Sequence, residues 1–262
     1  MTDLIQGRLV GKNLVITGAA GRIGSATARA ALAEGAKVVL ADISEDSLNV
    51  LVRSLPDFFK DRVHPIPCDV TKEAGIMALI EQAVSAIGPL TSAVHSAYPT
   101  SAGWGTPFEE LQASFLHKDL ASQLGGAILF SKHMLRHFQA NKGGDLVHIS
   151  SIQGVCPPKF EHYEGTAITS PIEYTAIKAG IIAITRWLAK YHSNQNIRVN
   201  CVSPGGILDR QPSEFLQRYR KSCTNIGMLS AELVAPAVVF LLSPAANAIN
   251  GQNLIVDDGW SL

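Results

Sequence analysis

Tyr174 and Lys178 stand four residues apart in the segment YTAIK, where a helical pattern of apolar residues begins. Side chains at this spacing share one helix face, so a phenol and an ammonium can address one site. A neighbouring ammonium favours the phenolate and lowers the pKa of a tyrosine from about 10, which suits a general acid or base. The spacing is common by chance, and its interpretation depends on Ser150 and Ser151, which end a strand-like run upstream.

A glycine-rich turn lies about 150 residues before this pair. In VITGAAGRIG, a Val-Ile-Thr strand leads into Gly18, Gly21 and Gly24, and a helix is predicted to begin near Arg22. Glycines let the backbone approach a phosphate closely, and free amides at a helix N-terminus favour negative charge. The turn predicts a dinucleotide pyrophosphate site. Combined with the tyrosine and the lysine, it predicts hydride transfer beside a nicotinamide ring.

Two acids follow predicted strands. Asp42 lies 18 residues after Gly24, at the end of VVLA, which suits an acid that hydrogen-bonds the adenosine ribose. Its carboxylate would repel the extra phosphate of NADP, so we expect NAD; NADP is the alternative, because the Arg22 guanidinium could accept a second anionic group. Asp42 could instead be only the N-cap or turn acid of the next helix. Asp69, which precedes Val70, suits an adenine-contacting turn or a helix cap.

The composition excludes some classes of function. The 262 residues are 47% hydrophobic and 17% charged, and Lys plus Arg equals Asp plus Glu at 22 each. The chain therefore has no net positive charge that would attract nucleic acid or an anionic membrane, and we expect a small-molecule substrate. The first ten residues, MTDLIQGRLV, lack the apolar core of a secretory signal, and no later stretch stays apolar over the ~18 residues of a membrane helix. The sequence predicts a cytoplasmic protein that binds neither membrane nor nucleic acid.

The cysteines and histidines give no metal or disulfide pattern. The four cysteines lie far apart without a CxxC pair, which predicts ordinary thiols. His133 and His137 are four residues apart, but no glutamate of an HExxH motif lies between them. We therefore expect no metal.

Short β-branched runs alternate with helical patterns along the chain, which is the rhythm of a parallel sheet covered on both faces. This predicts an α/β fold: one Rossmann-like domain over residues 1–262, with a doubly wound parallel sheet and helices on both faces. The segment from Tyr174 to Tyr191 is apolar on nearly every helix face, which favours a partner subunit in a homodimer or homotetramer. Burial within one subunit is the alternative. The predicted strands are Leu14 to Thr17, Val38 to Ala41, Val63 to Cys68, Leu90 to Val94, Asp145 to Ser150, Arg198 to Ser203 and Asn253 to Asp257.

The chain resembles the short-chain dehydrogenase/reductase family over nearly its whole length. The matching stretches are VITGAAGRIG, CDVT, LVHISS, YTAIK, IRVNCVSPGG and GQNLIVDDGW. The resemblance implies that Ser151 hydrogen-bonds the substrate oxygen, Tyr174 exchanges its proton, and Lys178 holds the nicotinamide ribose while tuning Tyr174. It places the nicotinamide carboxamide near the backbone around residues 204–207. The predicted cofactor contacts are Gly18, Gly21, Arg22, Ile23, Gly24, Asp42, Asp69, Val70, Tyr174, Lys178, Pro204, Gly205 and Ile207.

Several positions depart from the family pattern. The glycine turn reads TGxxGxxG, as in longer members that act on nucleotide sugars, yet the chain has no room for their C-terminal lobe, so we assign the compact form. The NNAG turn is replaced by HSAY at residues 95–98. Gln123 stands where the family places the asparagine of its proton relay, and we predict it as a catalytic residue. Its extra methylene displaces the amide, so a rearranged or absent relay is the alternative. Asp209 occupies a place where many relatives have threonine.

The separation of Ser151 from Tyr174 is 23 residues, which is longer than in compact members of the family. Tyr163 falls near the usual position, but Ala167, not lysine, follows it at four residues, so we prefer Tyr174. The inserted segment, at about 152–172, is rich in turn formers and polar groups, which predicts a loop at the substrate mouth.

The predicted substrate contacts are Gln153, His162 and Tyr163. The neighbouring Lys159, Glu161 and Glu164 could also bind substrate or be solvated.

The insertion and its flank, YEGTAITSPIEY and AIKAG, are similar to oxidoreductases of bacterial surface-sugar and nonulosonic acid pathways. We therefore expect an NAD(P)-dependent enzyme that interconverts a secondary alcohol and a ketone, on a sugar or sugar phosphate. Basic residues after the PGG turn could meet a phosphate or form a solvated helix. One alternative is a dinucleotide-binding accessory or regulatory subunit with weak or no redox activity, suggested by the departures. Another is an NAD-dependent epimerase or dehydratase, suggested by the glycine spacing.

Overall fold

The structure is a computed structural model that describes residues 7–262, and its seven strands form one parallel sheet in the order β3-β2-β1-β4-β5-β6-β7. This confirms the predicted doubly wound α/β fold. The first six residues, where the predicted domain begins and where no secretory signal was expected, lie outside the described residues. The strands are β1 (Asn13–Thr17), β2 (Lys37–Asp42), β3 (Val63–Pro67), β4 (Ser92–His95), β5 (Gly144–Ile149), β6 (Ile197–Pro204) and β7 (Asn253–Val256).

Helices connect the strands and cover both faces of the sheet. A π-helical turn, Leu120–Gly125, joins α4 to α5, and two short 3-10 helices, Ile152–Gly154 and Phe160–His162, lie in the predicted insertion. No helix of the described residues is long and apolar enough to cross a membrane. The α-helices are α1 (Arg22–Ala33), α2 (Glu45–Arg53), α3 (Glu73–Ile87), α4 (Ala113–Asp119), α5 (Gly126–Ala140), α6 (Ile172–Tyr191), α7 (Ser213–Lys221) and α8 (Ala235–Leu242).

The predicted strands match the observed ones to within a few residues. The largest shift is at the start of β4, which begins at Ser92 and not at Leu90. The backbone N–H of Leu90 donates to Nε2 of His137 at 3.0 Å, so this residue is tied to a helix side chain and does not extend the strand.

Two apolar cores lie on opposite faces of the sheet, because successive side chains of a strand alternate in direction. Leu14 and Ile16 of β1 pack in a core with residues of α1 and α8, and Val15 packs in the other core with residues of α3 and α5. Strands buried on both faces are apolar throughout, which is why the sequence pattern predicted them.

The carboxyl ends of the strands meet along one edge of the sheet, and the strand order reverses between β1 and β4. Ligands of open α/β sheets bind in the crevice at such a reversal. The predicted site residues follow strands at this edge: Gly18 after β1, Asp42 at the end of β2, Asp69 after β3, Ser151 after β5 and Gly205 after β6.

Candidate active site

A cavity of about 420 Å³ opens beside the carboxyl ends of β1 to β4. Five of the predicted cofactor contacts line it, namely Gly18, Gly21, Asp42, Asp69 and Val70. Other lining residues are those of the segment 96–99, which overlaps the HSAY segment at residues 95–98 in place of the family's NNAG turn. The structure therefore brings together the predicted glycine turn and both predicted acids.

The glycine turn is packed too tightly for side chains at two positions. Gly18 has a φ of 64°, and a Cβ there would lie 2.7 Å from the backbone of Ala97. A Cβ on Gly24 would lie 2.1 Å from the carbonyl oxygen of Gly18, so Gly24 seats α1 against the turn and does not line the cavity. Gly21 is the N-cap of α1 and supplies no side-chain cap. Amides at this helix end can therefore face an anion.

Asp42 is held toward the glycine turn. Its Oδ2 accepts a hydrogen bond from the N–H of Ala20 at 3.0 Å, and its Oδ1 accepts one from the N–H of Ser44 at 3.2 Å. The helix that follows is capped by Ser44, whose side chain accepts from the N–H of Ser47. Asp42 is therefore not the N-cap of α2, whereas its bond to the N–H of Ser44 is that of a turn acid, the other form of that alternative.

Asp69 forms a turn in the cavity wall. Its Oδ1 accepts hydrogen bonds from the N–H and the hydroxyl of Thr71, at 3.0 and 2.6 Å. These bonds, led by the one from the Thr71 side chain, lower the pKa of the Asp69 carboxyl. Lys72 is the N-cap of α3, so Asp69 does not cap that helix.

Arg22 lies outside both cavities and is paired with an acid. Its guanidinium forms an ion pair with the carboxylate of Asp209, which lies 187 residues further along the chain. Arg22 lines neither the cavity at β1 to β4 nor the second cavity described below. The ion pair is half-exposed, and the predicted contact of Arg22 with a cofactor stays a prediction.

A second cavity, of about 310 Å³, lies at the carboxyl ends of β5 and β6, and we call it the inner pocket. It brings together most of the remaining predicted residues. Those in its wall are Ile23, Ser151, Gln153, His162, Tyr163, Tyr174, Pro204, Gly205 and Ile207.

Tyr174 and Lys178 are both strongly affected by burial. Burial raises the pKa of the Tyr174 phenol, and the neighbouring Ser151 hydroxyl opposes this rise. Burial lowers the pKa of Lys178 to about 8. The Lys178 ammonium donates to the carbonyl oxygen of Ile149 at 3.2 Å and lies 5.6 Å from the ring centroid of Tyr174. The structure therefore places the serine hydroxyl, the phenol and the amine together.

The turn after β5 fixes the position of α6. The hydroxyl of Ser150 donates to the carbonyl oxygen of Lys178 at 2.7 Å. A Cβ on Gly154 would lie 2.6 Å from the carbonyl carbon of Lys178, so the helix backbone is in direct contact with this turn. These contacts set the distance between Ser151 and Tyr174.

Gln123 lies in the π-helical turn, a form that often marks functional sites. Its side chain is 3% exposed, and neither its amide nitrogen nor its carbonyl oxygen has a hydrogen-bond partner among the described residues. Buried polar groups normally have partners, which include ordered water. The position therefore suits a residue that holds a water.

The inserted segment forms one wall of the inner pocket. Gln153 donates from Nε2 to the hydroxyl of Tyr163 at 3.2 Å, and its Oε1 accepts from Ser170 at 2.5 Å. His162 is buried, and its Nε2 lies 2.9 Å from the hydroxyl of Ser222. Burial lowers the pKa of His162. Gln153, His162 and Tyr163 thus lie in the wall of the inner pocket, and their contact with a substrate stays a prediction.

Aromatic residues that the sequence did not identify complete the site. Tyr98 and Trp104 meet the Tyr174 ring edge-on, with centroids 5.8 and 6.0 Å away. Tyr219 and Trp260 stack at 5.8 Å in the wall of the inner pocket. The only sequence signals were the tyrosine in the altered NNAG turn and the tryptophan of the motif GQNLIVDDGW.

Replacing Gly154 with alanine tests the contact between the turn and α6. The added methyl would overlap the backbone of Lys178, so Gly154→Ala should lower the free energy of unfolding by about 1–3 kcal/mol, as overpacking does. Gly125→Ala is the control, because the nearest atom to a Cβ there is 3.8 Å away. Chemical denaturation of both variants provides the measurement. Equal stability of Gly154→Ala and wild type would contradict the described packing.

Comparisons with known proteins identify the family of the chain. The family profile described as "Enoyl-(Acyl carrier protein) reductase" matches residues 18–261. A protein of Campylobacter coli named "Post-translational flagellin modification protein A" is 40% identical over 255 residues, which cover 97% of this chain and 100% of that protein. The cis-4-hydroxycyclohexanecarboxylate dehydrogenase of Sinomonas cyclohexanicum is 35% identical, over 94% of this chain and 95% of the relative.

A solved structure has the same fold. A short-chain dehydrogenase from Leptospira borgpetersenii with bound NAD+ superposes with a TM-score of 0.87 at 28% identity, covering 100% of this chain and 97% of that one. The family profile and the superposition each cover nearly the whole chain, including the seven-stranded sheet and the glycine turn. The chain belongs to the short-chain dehydrogenase/reductase family of oxidoreductases.

Proposed function

We propose that this oxidoreductase interconverts a secondary alcohol and a ketone by direct hydride transfer, with NAD as cofactor and a sugar or sugar phosphate as substrate. The observation that carries the proposal is that Ser151 and Tyr174 line the inner pocket while the buried Lys178 ammonium lies 5.6 Å from the ring centroid of Tyr174. A hydroxyl, a phenol and an amine at such a site can bind a reacting oxygen and move its proton.

The residues present fit a nicotinamide dinucleotide. The glycine turn has no space for side chains at Gly18 and Gly24, which suits close approach of a pyrophosphate to the backbone. When bound, the cofactor accepts or supplies the hydride. Gly18 and Gly21 would hold the pyrophosphate and Asp42 the adenosine ribose. The other proposed contacts are Ile23, Asp69, Val70, Lys178, Pro204, Gly205 and Ile207.

Side chains of the protein transfer the proton. In alcohol oxidation the Tyr174 phenolate accepts the hydroxyl proton, and in ketone reduction the phenol donates it. The Ser151 hydroxyl donates a hydrogen bond to the substrate oxygen as negative charge develops there. The Lys178 ammonium favours the phenolate, and Gln123 would hold a water in the path that returns the proton to solvent.

The preference for NAD follows from charge. A 2′-phosphate would lie near the Asp42 carboxylate, while Arg22 is paired with Asp209. The Leptospira relative was solved with NAD+, which supports the same choice.

The sugar assignment rests on two observations. The insertion is similar to that of surface-sugar oxidoreductases, and its Gln153, His162 and Tyr163 lie in the inner pocket. The Campylobacter relative, whose name refers to flagellin modification, supports a related role.

One screen separates the candidate functions. Sugars, sugar phosphates, nucleotide sugars and hydrophobic alcohols are offered with NAD or NADP, and the absorbance of the reduced ring is recorded. An oxidoreductase accumulates reduced cofactor. An epimerase or dehydratase converts substrate without net reduced cofactor, and an accessory subunit binds cofactor without turnover.

Replacing Tyr174 with phenylalanine removes the proton-transfer group and keeps the ring. We expect kcat to fall by about 10²–10⁴-fold, the usual contribution of a general acid or base, with little change in NAD affinity.

Because burial raises the phenol pKa, wild-type alcohol oxidation should increase with rising pH and ketone reduction should decrease. Steady-state rates across pH and calorimetric NAD titration measure both effects. Tyr191→Phe, which removes an exposed hydroxyl from the same helix, is the matched control, and full activity in Tyr174→Phe would refute the assigned role.

Replacing Asp42 with asparagine tests the cofactor preference. The amide keeps the size of the side chain and removes its charge, so the ratio of kcat/KM for NAD to that for NADP should fall at least about tenfold, which corresponds to ~1.4 kcal/mol. Asp46→Asn, an exposed substitution in α2, should leave the ratio unchanged. A wild-type protein that already prefers NADP would show that the assignment is wrong.

We further propose that the chain forms a homodimer or homotetramer through α6. Trp187 and Tyr191 are 60% and 65% exposed, and their rings stack with centroids 4.7 Å apart. Exposed aromatic surface of this kind is typical of protein interfaces. Sedimentation at micromolar concentration should show an oligomer that dissociates in Trp187→Glu and persists in Lys190→Glu. A monomeric wild type would remove this proposal.

A further inference from the structure

The inner pocket combines polar groups, aromatic faces and an absence of charge. From this combination we infer that it accepts an uncharged, hydroxylated ring and excludes rings that carry a phosphate or a carboxylate. The inference rests on the proposed alcohol–ketone chemistry and narrows its substrate class from sugars and sugar phosphates to neutral sugars and related cyclic polyols.

No lysine, arginine, aspartate or glutamate lines the inner pocket within the part of the chain that the structure describes. The basic residues after the PGG turn, which the sequence offered as phosphate ligands, also lie outside its lining. The Arg218 guanidinium instead donates to the carbonyl oxygen of Glu164. The structure therefore offers no cation in the pocket wall for an anionic substituent.

The titratable groups in the pocket wall are neutral at neutral pH. Burial lowers the pKa of His162 from its usual value, so its imidazole is uncharged. Burial also raises the pKa of the Tyr163 and Tyr219 phenols, so both stay protonated. These groups can exchange hydrogen bonds with hydroxyls and offer no charge to an anion.

The ammonium groups of Lys159 and Lys178, near the pocket, already donate hydrogen bonds to backbone carbonyls. The Lys159 ammonium donates to the carbonyl oxygen of Trp260 at 2.9 Å and lies 4.7 Å from the centroid of a ring of that residue. Lys178 is 6% exposed and bound to the carbonyl of Ile149, and it lies outside the lining. An anionic group enclosed here would lose its hydration without gaining an ion pair, which is strongly unfavourable.

The pocket wall instead matches a ring with one polar side and one apolar side. The Ser151 hydroxyl, the Gln153 amide and the Tyr163 hydroxyl present donors and acceptors on the insertion side. Aromatic faces from Phe215, Tyr219 and Trp260 form the α7 and C-terminal side. Hydroxyl groups on one face of a ring and C–H groups on the other satisfy both walls, in a pocket of about 310 Å³ that the substrate would share with the nicotinamide ring.

The test compares uncharged rings with matched anionic partners. The pairs are D-glucose and D-glucose 6-phosphate, N-acetyl-D-glucosamine and its 6-phosphate, and cyclohexane-1,4-diol and cis-4-hydroxycyclohexanecarboxylate. Turnover is followed with NAD, and binding to the NADH-bound protein is followed by calorimetry. We expect at least one neutral member to bind, with an affinity at least tenfold above that of its anionic partner. Tighter or equal binding of the anionic members, or no binding of any neutral ring, would overturn the inference.

A charge placed in the wall should reverse the selectivity. Gln211 lines the inner pocket, so Gln211→Arg should raise binding of the anionic members at least tenfold relative to the neutral ones. Gln217→Arg adds the same group at an exposed position of α7 and should leave the ratio unchanged. An unchanged ratio in folded Gln211→Arg counts against the inference. Failure of the proposed function is a separate result, because neutral rings would then bind without reduced cofactor being formed from any alcohol.

Discussion

The contact between the turn after β5 and the backbone of α6 at Lys178 is the constraint on which the site depends. Gly154 leaves no side chain between the two elements, and the Ser150 hydroxyl binds the Lys178 carbonyl. Ser151 is the next residue of the same turn, and Tyr174 lies one helical turn before Lys178. Two rigid contacts therefore bring together groups that are 23 residues apart in the sequence, and the intervening insertion is free to form the pocket wall.

Burial shifts the pKa values of Tyr174 and Lys178 in opposite directions. It disfavours the charged form of each, so the Tyr174 phenol titrates above its usual range and the Lys178 ammonium below its own. The two groups therefore titrate further apart in pH than they would in water. The same exclusion of water strengthens the effect of any charge brought to the site, which is the condition under which a hydroxyl such as that of Ser151 stabilises a developing oxyanion.

Much of the fold and part of the site could be predicted from the sequence. Strands such as β1 are buried on both faces and read as continuous apolar runs, and the carboxyl ends of parallel strands share one edge, so Gly18, Asp42, Asp69 and Ser151 were expected near one another. The residues that were missed are brought in by tertiary packing. Tyr98 packs on Tyr174 from a different strand end, and Trp260 comes from the C-terminal segment.

The pairing of Arg22 with Asp209 is a second feature that the sequence could not predict. A guanidinium beside the glycine turn reads as a phosphate ligand when only neighbouring residues are considered. Its partner is 187 residues away, and no local pattern identifies it. Charge balance across a cleft is a property of the folded chain, whereas glycine turns and helix spacing are local.

A crystal structure of the NAD+ complex tests the central claim most directly. The account predicts that the hydroxyls of Ser151 and Tyr174 lie on one side of the nicotinamide ring, within reach of one substrate oxygen, and that the Lys178 ammonium contacts the adjoining ribose. A nicotinamide ring bound outside the inner pocket, or a Tyr174 hydroxyl turned away from both the ring and Ser151, would contradict it.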